Sequence, residues 1–124
     1  MSDLVTFIGT PEAGEGCSYQ ILGNLLKEDG SPLGSGDLTT LTLTLTDVET
    51  GAVINSVSAV NVLNADRGTV DAGGLLTISL TVADAAFVTS TKQTERHQAR
   101  VDWTYGAGGA KAGWHEVRFF LVKK

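Results

Sequence analysis

From Thr40 to Thr46 the chain alternates threonine and leucine without a break. In an extended backbone that places Leu41, Leu43 and Leu45 on one side and the threonines on the other, the signature of a half-buried strand. Leu76 to Val82 repeats the pattern, with Leu76, Ile78, Leu80 and Val82 expected to point inward. Between His97 and Tyr105 the apolar phase is Ala99, Val101, Trp103 and Tyr105, set against Gln98, Arg100, Asp102 and Thr104. Val117, Phe119 and Leu121 continue in the same manner against Arg118 and Phe120, so these two segments predict a C-terminal hairpin. The glycine-rich stretch from Gly106 to Gly113 reads as its long loop.

Cys17 to Leu25 predicts a further strand carrying Tyr19 and Ile21 inward, closed by the turn chemistry of Lys27 to Pro32. A weaker strand is expected over Val53 to Val62, after the turn Asp47 to Gly51. Short helical turns are expected at Ala59 to Leu63 and at Asp84 to Val88, with Thr81 and Asp84 spaced for capping. Strands recurring every 8–12 residues or so with turn signals between them predict an all-β fold, an immunoglobulin-like β-sandwich of about six to eight strands. Residues 1–16 stand apart, because the glycines around Pro11 break any strand pattern. They read as an extended N-terminal arm or an edge strand, and residues 17–124 as a single sandwich domain.

Composition narrows the picture without naming a function. A chain of 124 residues and 13.0 kDa has room for one domain and enough core to stand without staples. A net charge of -5, with the basic residues scattered or gathered near the C-terminus, offers no stripe for a phosphate backbone. Nucleic acid and anionic membrane surfaces are therefore not expected partners. Met1 to Val5 carries no basic segment leading into an apolar run, so synthesis in the cytoplasm is expected. Cys17 is the sole cysteine, which excludes an internal disulfide.

Candidate chemistry is sparse. Two histidines, His97 and His115, each stand beside a glutamate, Glu95 and Glu116, as a metal cluster would require. Aligning the apolar faces of the hairpin, however, pairs Trp103 with Val117, Tyr105 with His115 and His97 with Lys123. The histidines are then about eight residues, or roughly 27 Å, apart along the ladder. A shared metal is excluded in that register, and a structural role is expected for both, with no metal and no cofactor. The glycine-rich segment lacks the spacing and the following helix of a phosphate loop. Cys17 reads as a small core residue, and Ser18, Ser56 and Ser90 have no nucleophile-elbow context. Asp47, Glu49, Asp66, Asp71 and Asp84 fall at turns, without the spacing of a calcium loop. Trp114 sits where the loop re-enters a strand, and Phe120 is out of phase with its neighbours, so one of them is expected to be exposed.

Several stretches resemble small virion proteins of tailed bacteriophages. They are Leu43 to Asn55 with its acidic turn, Val62-Leu63-Asn64 with Gly68 to Asp71, Gly74 to Leu80, and the closing Glu95 to Tyr105 with His115 to Phe119. The resemblance covers most of the chain after residue 17 and rests on strand and turn patterns. It implies assembly and not catalysis: a virion structural protein made in the host bacterial cytoplasm. The member of the group that it suggests is a capsid decoration or cement protein, bound to the major capsid protein or other virion proteins on the outside of the head, with self-association as a further contact. A tail, neck or baseplate component, or a carbohydrate- or receptor-binding sandwich, is the alternative. The interface residues expected are Val5, Phe7, Ile8 and Pro11 in the arm, with Trp114 and Phe120. On this reading, deleting residues 2–16 leaves the sandwich folded and weakens association.

Overall fold

The alternating segments build two facing sheets. A computed structural model describes residues 6–8, as backbone, together with 12–89 and 91–124. Nine strands run in chain order among these: β1 (Thr6–Ile8), β2 (Glu12–Gly14), β3 (Tyr19–Asn24), β4 (Leu38–Asp47), β5 (Val60–Asn61), β6 (Gly68–Val70), β7 (Leu75–Leu80), β8 (Thr94–Tyr105) and β9 (Lys111–Val122). One sheet has the order β1-β3-β7-β6 and the other β2-β9-β8-β4-β5. All pairings are antiparallel except β2 with β9. This is an all-β sandwich, in which the order of β1-β3-β7-β6 facing β9-β8-β4-β5 is that of an immunoglobulin-like sandwich, with β2 added at the free side of β9. In the described part of residues 1–16, β1 is an edge strand of one sheet and β2 an edge strand of the other.

The core forms where the two inward faces meet. Leu41, Leu43 and Leu45 of β4, with Ala99, Val101 and Trp103 of β8, are shut off from solvent. Ile21 of β3 and Leu76, Ile78 and Leu80 of β7 cover them from the opposite sheet. Tyr19 stacks on Phe119 across the gap, ring centroids 4.6 Å apart, tying the first sheet to β9.

The C-terminal hairpin has a different register from the one expected. Trp103 pairs with Gly113, Tyr105 with Lys111 and His97 with Phe119, and the connection is only residues 106–110. Lys111 to Gly113 belong to β9 because Gly113 is a strand glycine in close approach. A Cβ there would lie 2.6 Å from ring atoms of Trp103, so the indole occupies the space that a side chain would fill. Gly106, at φ 83, supplies the turn conformation that L side chains disfavour.

Other expectations shift locally. Val82 is 61% exposed, because β7 ends two residues earlier, at Leu80, and the chain enters a short 3₁₀ turn, Val82–Asp84. That turn carries the expected Thr81/Asp84 capping box. No helical turn forms over Ala59 to Leu63, where β5 pairs with β4. The weaker strand expected over Val53 to Val62 reduces to a single bridge at Val53 and to β5. Cys17 is exposed, since β3 begins only at Tyr19.

Candidate functional site

The outward face of the five-stranded sheet carries a band of polar side chains between two aromatic rings. On β8 and β9 the outward positions include Asp102 and Trp114, Arg100 and Glu116, Gln98 and Arg118, and Arg96 and Phe120, each pair directly opposite across the ladder. Arg100 lies at the centre. Its Nε donates to both Asp102 carboxylate oxygens at 3.1 and 3.2 Å, and its Nη1 reaches Glu116 Oε2 at 3.5 Å. The same guanidinium lies over the Trp114 ring, 4.7 Å from its centroid, in a cation–π arrangement. Gln98 links Glu116 to Arg118, donating to the former at 3.2 Å and accepting from the latter at 2.8 Å.

Trp114 remains 41% exposed and Phe120 47%. Six residues apart on one strand, they stand about 20 Å from each other on the same face. Beside them, β2 covers only Phe120, Leu121 and Val122 of β9. Among the described residues no strand pairs with the outer edge of β9 from Lys111 to Phe119. This arrangement can take a partner in two ways, by side-chain docking on the aromatic and arginine surface and by strand addition at the edge.

Of the interface residues expected from the sequence, Trp114 and Phe120 are therefore brought to one exposed face. Phe7 and Ile8 belong to β1, which pairs with β3 in the opposite sheet, away from that face. Val5 and Pro11 lie outside the described residues. The arginines flanking the aromatics were not singled out in the sequence. Their phase, alternating with Ala99 and Val101, was the available signal.

The histidines are also placed differently. His115 pairs with Val101, four positions from His97 along β8, or about 14 Å. His97 instead meets Asp47, its direct cross-strand partner on β4, and Glu95 two residues away on its own strand. One ligand atom from each of these three residues lies within 4.8 Å of the others. All three are buried, with exposures of 1%, 1% and 2% for Asp47, His97 and Glu95. Glu95 Oε1 is 2.8 Å from His97 Nε2 and accepts from the Val88 amide at 2.8 Å, while Oε2 accepts from Thr89 at 2.6 Å. Burial pushes this carboxyl up, but His97 and the two amides outweigh burial and hold it below its ordinary range. Asp47 Oδ2 accepts from the Thr50 amide and hydroxyl at 3.1 and 2.7 Å. Asp47 Oδ1 and His97 Nδ1 are buried with no hydrogen-bond partner.

A third buried carboxylate, Asp84, has a structural solution. Arg67 grips it through Nε at 2.5 Å and Nη2 at 2.9 Å, and Asn55 Nδ2 and the Thr81 amide each donate to it at 2.8 Å. Burial raises this carboxyl, and the donors, led by Arg67, bring it net below its usual value. A cavity at the hairpin end, about 180 Å³ and lined by Trp103, Tyr105 and Gly113 among others, is well below the size of a typical ligand pocket.

No protein-family model matches the chain, and no curated protein matches it in sequence.

Proposed function

We propose that the protein is a non-enzymatic structural component of a tailed-phage virion, a capsid decoration protein that binds the major capsid protein on the outer surface of the head. The observation that carries this reading is the outward face of β8 and β9, where Trp114 and Phe120 are exposed beside Arg100 and Arg96. Tryptophan and arginine are the residue types that dominate binding energy at protein interfaces, and a charged, hydrogen-bonded surround suits a contact made by a separately folded partner. The edge of β9 from Lys111 to Phe119, which no described strand covers, adds a backbone register through which a strand of the partner docks. The resemblance to small phage virion proteins supports the same reading, since its stretches fall on β4, β6, β7, β8 and β9, strands that build the core and this face.

The test is immunogold electron microscopy on purified virions of the phage that encodes the chain. Label distributed over the head is the expected result. Label confined to the neck, tail or baseplate replaces the decoration role with a connector or adhesion role, and particles without label overturn the virion reading.

A further inference from the structure

The unsatisfied atoms beneath β4 and β8 carry an inference independent of where the protein assembles. Glu95 accepts two backbone amides and is an ionised acceptor, so the His97 nitrogen facing it at 2.8 Å must be the one that bears hydrogen. That fixes the tautomer and leaves the Nδ1 lone pair open. Across the ladder, Asp47 keeps one oxygen on Thr50 and has the other, Oδ1, buried and unsatisfied. Two open donor atoms thus occur on cross-strand partners, inside a region holding two carboxylates and one imidazole. Buried polar atoms without partners are uncommon in native proteins and call for an explanation.

We propose that Asp47 and His97 bind a divalent transition-metal ion of the zinc class, with Glu95 as the carboxylate that fixes the imidazole. A carboxylate hydrogen-bonded to the far nitrogen of a histidine is the usual outer partner of a metal-bound imidazole. The donor set, one imidazole nitrogen and a carboxylate oxygen with water completing the tetrahedron, suits zinc and disfavours calcium or magnesium, which take oxygen ligands. The charge also balances: two carboxylates and a neutral imidazole sum to -2, which one divalent ion cancels. Such an ion ties the last turn of β4 to the start of β8 and acts as a staple at this end of the sandwich. Because the three side chains are buried, the metal enters when the chain folds or when the segments at 48–52 and 87–89 open.

The experiment is to unfold the full chain in EDTA, refold it with or without zinc chloride, and measure retained zinc by native mass spectrometry and stability by thermal melting. The expected result is one zinc per chain and a Tm at least about 4 °C higher with zinc, with magnesium giving no shift. Asp47→Asn keeps an oxygen for Thr50 and therefore folds, yet it weakens zinc at least about 100-fold. Glu95→Gln weakens it about 10–100-fold through the imidazole. His115→Gln, away from the cluster, retains zinc like the parent. Absence of retained zinc and of any Tm shift in the parent overturns the proposal, as does retention undiminished in Asp47→Asn.

Discussion

At the scale of single residues, the most consequential feature is the way buried charges are matched. Asp84 is gripped by Arg67, Asn55 and the Thr81 amide, so Arg67→Ala leaves a buried carboxylate with half its donors gone. That change is expected to cost about 3–5 kcal/mol, read as a lowered urea midpoint. The same grip sets a pH dependence. The folded carboxyl sits below its ordinary value of 3.8, so the unfolded chain binds the extra proton on the acid side. Its stabilisation is complete above that value and is lost as pH falls through the lower folded one. Urea midpoints measured between pH 6 and pH 3 should therefore fall in the parent and fall less in Arg67→Ala. Gly113 offers a steric counterpart. Alanine there meets the Trp103 ring and is expected to cost about 1–3 kcal/mol by overpacking, whereas Gly108, with open space around its Cα, provides a comparison for turn strain alone. Of the Asp84 grip only the Thr81 cap was legible from the sequence, and of the Asp47–Glu95–His97 cluster only the neighbours Glu95 and His97. Arg67, Asn55 and Asp47 come from far along the chain, and carboxylates near turns look alike until the register brings one of them inside. The signal for the cluster was nonetheless present, because Asp47 continues the phase of Leu41, Leu43 and Leu45, as Glu95 and His97 do that of Ala99 and Val101.

Among the elements, the long strands declared themselves and the short ones did not. β7 and β8, and β4 from Leu41 onward, have one face buried, so strict alternation was bound to appear in their sequences. β5 and β6, at two and three residues, are too short to show a period, and their places are set by pairing with β4 and β7. The hairpin register departs from the apolar alignment for a different reason. A glycine-rich run reads as loop, whereas Gly113 is in the ladder under an indole. The N-terminal segment makes the same point about local reading. β2 covers the end of β9, Ala13 is in the core, and the Glu15 and Gly16 amides donate to Val122 and Ala85 at 2.9 Å. Deleting residues 2–16 removes these bonds along with the β1–β3 pairing. At about 0.5–1.5 kcal/mol for each net hydrogen bond, the loss is expected to lower the urea midpoint clearly. A single cooperative transition should persist, because the β3, β4, β7, β8 and β9 core remains.

At the scale of the whole molecule, the two faces of the five-stranded sheet divide the work. Its inner face holds the fold, and its outer face is free to change without touching the core. Trp114 and Phe120 illustrate the separation, since each has roughly half its surface in solvent and neither contributes to the buried cluster. Exposed aromatics of this kind contribute little to stability but a great deal to association when a partner covers them. The double variant Trp114→Ala, Phe120→Ala is therefore expected to melt within about 1 kcal/mol of the parent while losing at least about 10-fold in retention on purified particles. Arg100 sharpens the measurement. Its guanidinium is held by Asp102 and Glu116 and lies on the Trp114 ring, so Arg100→Lys keeps the charge but loses the forked hydrogen bonds and the planar stacking. An intermediate loss of retention in Arg100→Lys, with stability unchanged, ties binding to this face. Equal retention by all three proteins, measured by sedimentation with particles over a range of protein concentrations, moves the contact to another surface of the sandwich.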